Sequence, residues 1–184
     1  MRKLIQFLNI SPDGFCGHEG AIADKELHEH ANALLKRVDL VLFGRVTYEL
    51  FVDYWPKVAV ERNASDHEIE FADLIDAIPK LVFSTTLPQV DWRNSQLERE
   101  LTAERILQLK QQPGKDISIS GLSLMEQLSQ MGLIDEYHFL IQPMVVGKGK
   151  RLFETRSLET LIPLELVDIM RMQSGVVHLV YSKK

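Results

Sequence analysis

The sequence LVLFGRVTYELF at residues 40–51 indicates the fold class. Its first four residues form an apolar run that Gly44 ends, which is typical of a strand buried in a parallel sheet. A helical pattern begins near Thr47. Open α/β sheets bind ligands outside the carboxyl ends of their strands, where helix N-termini also point. Gly44 and Arg45 are therefore predicted to lie at a binding edge.

The residues of this turn have the chemistry of an anion site. Gly44 lets a ligand approach the backbone, Arg45 carries a permanent positive charge, and Thr47 is expected to cap the helix. The alternative interpretation is an ordinary strand-to-helix turn with a solvated arginine.

Composition favours one domain, residues 1–184, with 45% hydrophobic and 26% charged residues and a net charge of -5. The charge argues against nucleic-acid binding, which needs a basic surface. No run is long enough to cross a membrane, and Cys16 is the only cysteine, which excludes an intramolecular disulfide. The sequence thus predicts a cytoplasmic protein.

Strands and helices alternate along most of the chain, and a strand-rich tail follows. This order predicts a mostly parallel sheet with antiparallel strands at one edge. A helix from Thr47 to Trp55 is expected to stop at Pro56, and another is expected over about 98–111. The predicted strands are 4–10, 40–43, 80–84, 116–120, 136–142, 164–172 and 176–182.

Small and hydroxyl-bearing residues follow three of the predicted strands. They form the segments Gly44-Arg45-Val46-Thr47, Ser84-Thr85-Thr86 and Ser120-Gly121-Leu122-Ser123. If these strands are parallel, the three segments meet at one edge, beside helix N-termini that favour anions. Their convergence predicts a polyanionic, nucleotide-like ligand.

These segments resemble the NADPH-binding pattern of the dihydrofolate reductase superfold. More specifically, the chain resembles the reductase domain of riboflavin biosynthesis, the RibD C-terminal type of bacterial protein. The motifs are NISPDGF at 9–15, LFGRVTYE at 42–49 and GLIDEYHFLIQPMVVGKGKRLF at 132–153. The resemblance implies a three-layer dihydrofolate reductase-like fold with about eight strands, an NADPH-dependent reductase and a homodimer.

The resemblance also implies roles for residues of the three segments. Arg45, Ser84 and Thr85 would bind the adenosine 2′-phosphate. The pyrophosphate would be bound by Thr47 with its helix start, and from the opposite side by Gly121, Leu122 and Ser123. The family usually has two glycines where this chain has Ser120-Gly121.

The group that donates a proton to the substrate is a separate question. Dihydrofolate reductases place a carboxylate on the first helix, and the usual spacing lands near His28 in this chain. This departure argues against a dihydrofolate substrate and favours a small carbonyl or imine compound, such as a riboflavin-precursor-like pyrimidine. Asp13, in the glycine-containing loop 11–20, is the carboxylate candidate, with His28 or water as alternatives. Asp13 could equally be a turn residue before Gly14.

A metal-dependent protein and a non-catalytic binding protein are the two other function classes to consider. His28 and His30 are two residues apart on a predicted helix, where side chains diverge, so no metal site is expected. A non-catalytic nucleotide-binding or scaffold protein that retains the fold remains the alternative to the enzyme.

Overall fold

A computed structural model describes residues 1–17, 20–154 and 156–184 of the chain. The strands are β1 (Leu4–Ile10), β2 (Val38–Gly44), β3 (Lys80–Phe83), β4 (Ser95–Glu98), β5 (Asp116–Ser120), β6 (Glu136–Ile141), β7 (Leu164–Arg171) and β8 (Val177–Lys183). The helices are α1 (Lys25–Lys36), α2 (Arg45–Glu61), α3 (Asp66–Ala77), α4 (Ala103–Gln111) and α5 (Leu122–Gln130). The predicted loop 11–20 includes His18 and Glu19, which lie outside the described residues.

The strands form one 8-stranded sheet in the order β4-β3-β2-β5-β1-β6-β8-β7. From β4 to β6 all neighbours are parallel, whereas β8 pairs antiparallel with β6 and β7 pairs antiparallel with β8. The predicted α/β class, mostly parallel sheet and antiparallel C-terminal edge are therefore confirmed. The carboxyl ends of β5, β2 and β3 are adjacent, as the sequence predicted.

Two apolar cores cover the two faces of the sheet, which gives three layers. One core packs Ile106 of α4 and Leu128 of α5 against β2 and β5. The other packs Leu35 of α1, Tyr48 of α2 and Ile75 of α3 against the opposite face. The buried residues of α1 recur on one side of the helix, and this side packs against the sheet.

The predicted end of α2 is wrong. Pro56 lies inside the helix, which continues to Glu61. Proline removes one backbone hydrogen bond, but Val58, two residues further along, is only 3% exposed. Burial of the Val58 side chain offsets the lost bond.

The predicted helix over 98–111 is also wrong in its first part. Ser95–Glu98 is strand β4, and the helix begins after Thr102, whose side chain accepts a hydrogen bond from the Arg105 N–H. Strand β4 lacks β-branched residues, so its sequence gave no strand signal. Pairing of its backbone with β3 determines its conformation.

Strand β7 is the outer edge of the antiparallel part of the sheet. Leu166, Val167 and Ile169 are each more than half exposed there.

Within residues 1–17, 20–154 and 156–184, no helix has the length and apolar character needed to cross a membrane.

Candidate cofactor and substrate cleft

A cavity of about 980 Å³ opens at the carboxyl ends of β5, β2 and β3. The three polar segments that follow these strands line it together. The predicted cofactor-binding residues on its wall are Gly44, Arg45, Thr47, Ser84, Thr85, Ser120, Gly121, Leu122 and Ser123. The structure therefore brings together every residue that the resemblance assigned to the cofactor.

The backbones of the β2 and β5 ends approach each other closely at Gly44 and Gly121. A Cβ atom added to Gly121 would lie 3.2 Å from the Gly44 backbone nitrogen and 3.4 Å from Thr47 Oγ1. Gly121 also has φ of +137°, which side chains other than hydrogen rarely allow. Ser120, where the family usually has another glycine, does not prevent this approach.

The two helices that start at this edge have glycine N-caps. Neither Gly44 before α2 nor Gly121 before α5 provides a side-chain hydrogen bond to the first turn. By contrast, Asp24 caps α1 and Thr102 caps α4 with side-chain oxygens. The prediction that Thr47 caps α2 is wrong, because α2 already begins at Arg45. Free N–H groups thus face the cleft at both helix starts.

The charge of the cleft wall is one-sided. Its ionised side chains are Arg45, Arg99, Lys150 and Arg156, and among the described residues no Asp or Glu lines it. The whole chain has a net charge of -5, so this local excess of cations is a property of the site. Such a wall attracts anions.

The loop after β3 is held in shape by Ser84 and Arg99. Ser84 Oγ accepts hydrogen bonds from the N–H groups of Thr86 at 3.2 Å and Leu87 at 3.0 Å. The Arg99 guanidinium donates to the carbonyl oxygens of Ser84 and Leu87 at 3.1 Å and 2.5 Å. Thr85 at the tip is exposed. Ser84 therefore shapes the loop, while Thr85 is free to bind a ligand.

Arg45 lies at the first position of α2 and forms an ion pair with Glu49 at 2.8 Å. Both side chains are nearly half exposed, so the pair contributes little to folding and can open for a ligand phosphate.

The other end of the cleft, between α1, α2 and α3, is lined by aromatic rings. We call the group formed by His28, Phe51, Tyr54, Trp55 and Phe71 the aromatic end. The ring centroids of Trp55 and Phe71 are 4.4 Å apart, and those of Tyr54 and Trp55 are 4.9 Å apart. The His28 ring is inclined by 66° to Trp55 and by 89° to Phe71, in T-shaped arrangements.

His28 is the candidate proton donor that the structure places on the cleft. Its Nδ1 lies 3.0 Å from the Asp24 carbonyl oxygen. A carbonyl can only accept, so Nδ1 carries the proton and Nε2 is left for a ligand. The His67 ring lies 5.1 Å away, and its Nε2 is 2.9 Å from Ser65 Oγ.

Asp13, the candidate carboxylate, does not line the cleft. It accepts hydrogen bonds from Ser11 Oγ at 2.6 Å and from the N–H groups of Val146 and Gly147 at 3.2 Å and 2.8 Å. The Ser11 hydroxyl, together with these N–H groups, lowers the pKa of Asp13 to about 2. Asp13 is thus ionised at neutral pH and links two loops, which does not fit a proton donor.

The link at Asp13 is part of a longer contact between the loop that follows β1 and the loop that follows β6. The Cys16 N–H donates to the Lys150 carbonyl at 2.7 Å, and Phe15 forms a β-bridge with Arg151, whose guanidinium lies over the Phe15 ring. Cys16 and Lys150 both line the cleft. This contact therefore fixes one wall of the site.

The aromatic end was not identified from the sequence. Phe51, Trp55 and Phe71 have helical spacing and are typical of a core, so periodicity could not separate them from packing residues. A usable signal was present in LFVDYWP at 50–56, where the large apolar residues are too numerous for one buried stripe of a helix.

The wall fits a dinucleotide that carries phosphates. Cations and free N–H groups at the strand ends suit the phosphates, and the close pairing of Gly44 with Gly121 keeps side chains away from them. The Ser84 loop would hold the adenosine end. Arg45 and Thr85 are exposed at this edge and could meet the 2′-phosphate, whereas Ser84 Oγ is occupied by the N–H groups of its own loop.

Comparisons with known proteins agree with this geometry. The uncharacterized protein YyaP of Bacillus subtilis (strain 168) is 33% identical over 186 residues, covering 98% of this chain and 94% of that protein. RibD of Acinetobacter baumannii has a similar structure with a TM-score of 0.70 and 16% identity, covering 100% of this chain and 58% of RibD.

A more distant likeness extends to dihydrofolate reductase. The Enterococcus faecalis enzyme, solved with NADP(H), gives a TM-score of 0.60 at 13% identity, covering 99% of this chain and 96% of that one. The family described as the RibD C-terminal domain matches residues 2–178. The chain therefore belongs to the RibD C-terminal domain family.

Proposed function

We propose that the protein is an NADPH-dependent reductase of a small carbonyl or imine compound. The observation that carries this proposal is the cleft at the ends of β5, β2 and β3, whose wall combines four cations, two uncapped helix starts and no lining carboxylate among the described residues. The adjoining aromatic end gives a substrate room beside the cofactor.

The cofactor would be held by the three polar segments. Arg45 and Thr85 are placed for the adenosine 2′-phosphate, and the N–H groups after Gly44 and Gly121 for the pyrophosphate. When bound, the nicotinamide supplies a hydride to the carbon of a C=O or C=N bond. The electron pair of that bond passes to the oxygen or nitrogen, which must then take up one proton.

His28 is proposed to provide that proton. Its Nδ1–H is fixed on the Asp24 carbonyl, so Nε2 is the atom that meets the substrate, and it donates when the imidazole is protonated. Water is the other source. Either route consumes one proton for each NADPH oxidised.

Cofactor titration tests the first part of the proposal. NADPH should bind at least about tenfold more tightly than NADH, because a charge-assisted contact contributes roughly 1.5–3 kcal/mol. Arg45→Ala should remove most of that preference and leave NADH binding unchanged. Lys57→Ala is the matched control, since Lys57 and Asp53 form an i,i+4 ion pair on the same helix as Arg45 and Glu49. Equal affinity of the native protein for both cofactors would refute NADPH as its cofactor.

A non-catalytic nucleotide-binding protein is the second candidate. The observation in its favour is that the lining residues within the described chain include no carboxylic acid for proton transfer. Loss of absorbance at 340 nm with carbonyl substrates distinguishes the two functions. Tight NADPH binding without turnover of any compound tested would support this candidate.

We also propose that the protein is a homodimer through β7. Leu166, Val167 and Ile169 would otherwise expose apolar surface on an edge strand. Light scattering should give twice the chain mass, and Ile169→Lys should shift it toward the monomer. A monomer at micromolar concentration would rule out this assembly.

A further inference from the structure

The two ends of the cleft differ in the groups that they offer a ligand. The end formed by the strand termini carries the cations and free N–H groups. The lining residues contributed by α1 and α3, by contrast, are uncharged apart from a protonatable histidine: Leu27, His28, Ala31, Leu34, Leu35, Phe71 and Ile75. Both ends belong to one cavity, so a molecule at the aromatic end would lie beside the cofactor.

His28 is only 8% exposed, but the other four rings of the aromatic end remain accessible. Phe51, Trp55 and Phe71 are half-buried, and Tyr54 is 48% exposed. A second aromatic group in the same protein shows the difference, since Phe43 and Trp92 are 0% and 4% exposed in the core. Accessible rings inside a cavity are the usual wall of a small-molecule site.

The geometry of the rings suits a flat ligand. Trp55 and Phe71 lie at 4.4 Å with an interplanar angle of 48°, and Phe51 is tilted by 56° to Trp55. Rings inclined in this way offer both faces and edges to a planar molecule. The polar groups among them are the His28 ring, the Tyr54 hydroxyl and the Trp55 indole N–H, which allows few hydrogen bonds.

We propose that the aromatic end binds a flat, uncharged aromatic or conjugated carbonyl compound, whose carbonyl oxygen accepts a hydrogen bond from His28 Nε2–H when the imidazole is protonated. The inference rests on the proposed function and specifies its substrate class. It argues against a substrate whose phosphate group lies among these rings, because that phosphate would lose its hydration there, away from the cations at the other end of the cleft. Lys57, on the same helix, is paired with Asp53 and lies outside the cleft wall.

Two matched probes test the substrate class. One is a naphthaldehyde methyl ether, and the other is the same naphthaldehyde as its phosphate ester. Binding is measured by fluorescence titration to the protein saturated with NADP+, so that no turnover occurs. The methyl ether should bind at least about tenfold more tightly than the phosphate ester, because one desolvated charge costs several kcal/mol. Equal or tighter binding of the phosphate ester would overturn the inference.

Two variants locate the probe. Phe71→Leu should weaken binding of the methyl ether by roughly three- to tenfold, since a stacked ring contributes about 0.5–1.5 kcal/mol beyond its buried area. Phe139→Leu is the matched control, because Phe139 is also half-buried but lies on β6 against the other core. Trp55→Leu provides a second variant in case Phe71→Leu does not fold. Unchanged affinity in a folded variant at both positions would place the probe elsewhere.

Failure of this inference is distinguishable from failure of the proposed function. NADPH titration of the same variants reads the cofactor end alone. If NADPH binds and the methyl ether does not, the reductase proposal stands and the substrate class is wrong. If the methyl ether binds at Phe71 and NADPH does not, the aromatic site stands and the cofactor assignment is wrong.

Discussion

The end of the cleft at the strand termini Gly44, Ser84 and Gly121, which we call the cofactor end because the proposal places the cofactor there, is built differently from the aromatic end. The first depends on backbone: glycine N-caps, close strand ends and a loop shaped by Ser84. The second depends on side chains that project from three helices. A backbone site can be damaged by adding one methyl group, whereas a side-chain site changes gradually as rings are exchanged. This difference predicts which substitutions abolish binding and which only redirect it.

The largest effect is expected at Gly121. Gly121→Ala should reduce NADPH affinity by more than about 100-fold and lower the free energy of unfolding by roughly 1–3 kcal/mol. Alanine is strained at the φ of this position, and its Cβ would crowd the Gly44 backbone. Fluorescence titration of NADPH and urea unfolding measure the two effects.

Two other glycines separate strain from crowding. Gly14 has φ of +86° with nothing within 4 Å of its added Cβ, while Gly17 has open space and no positive φ. Gly14→Ala should affect stability only, and Gly17→Ala should affect neither quantity. Native NADPH affinity in Gly121→Ala would show that the cofactor end does not depend on backbone approach.

A smaller effect is expected at His28, on the aromatic end. His28→Gln should lower turnover by roughly 10²-fold, at the low end of acid–base assistance, and should leave NADPH affinity unchanged. His67→Gln is the control, because His67 lies beside His28 but does not line the cleft. Native turnover in His28→Gln would leave water as the proton source.

The sequence predicted the cofactor end because its signals are local. Gly44-Arg45 and Ser120-Gly121 each follow an apolar strand, and parallel pairing places them together without further information. It could not predict strand β4, where Ser95–Glu98 becomes a strand only through pairing with β3. The strand propensity of a four-residue segment does not show which strand it will pair with in the sheet.

The aromatic end and Asp13 were missed for a different physical reason. Phe71 and Trp55 come from separate helices, and whether a ring faces a core or a cavity depends on how those helices pack. Asp13 was predicted as the carboxylate candidate, but Val146 and Gly147, more than a hundred residues away, supply the N–H groups that hold it. Long-range contacts of this kind have no local pattern.

The new position of Asp13 changes the result expected from its substitution. Asp13→Asn should lower turnover by less than about tenfold, because asparagine retains an acceptor oxygen for one N–H and only loop positioning is weakened. Ser11→Ala, which removes a partner of Asp13, should have a similar effect. A 10²–10⁴-fold loss in Asp13→Asn with unchanged NADPH affinity would restore the catalytic role of this carboxylate.

The smallest effect concerns histidines behind the cleft wall. His178 and His138 contact each other at 3.1 Å, and both rings lie near Phe7, which lines the cleft. Burial, with the neighbouring His30 and His138, lowers the pKa of His178 to about 3. The folded protein therefore resists protonation here, whereas the unfolded chain takes up a proton near about pH 6.5.

The direction of the pH effect on folding stability follows from the difference between the folded and unfolded pKa of His178. Because the folded pKa lies below the unfolded one, the stability from His178 is present above about pH 6.5 and is lost as pH falls toward the folded pKa. Between about pH 7 and 6 the loss should be less than about 1 kcal/mol. His178→Gln should have a flatter pH dependence of the free energy of unfolding in urea over this range. If His178→Gln keeps the native slope, the buried histidine behind Phe7 does not couple folding to pH.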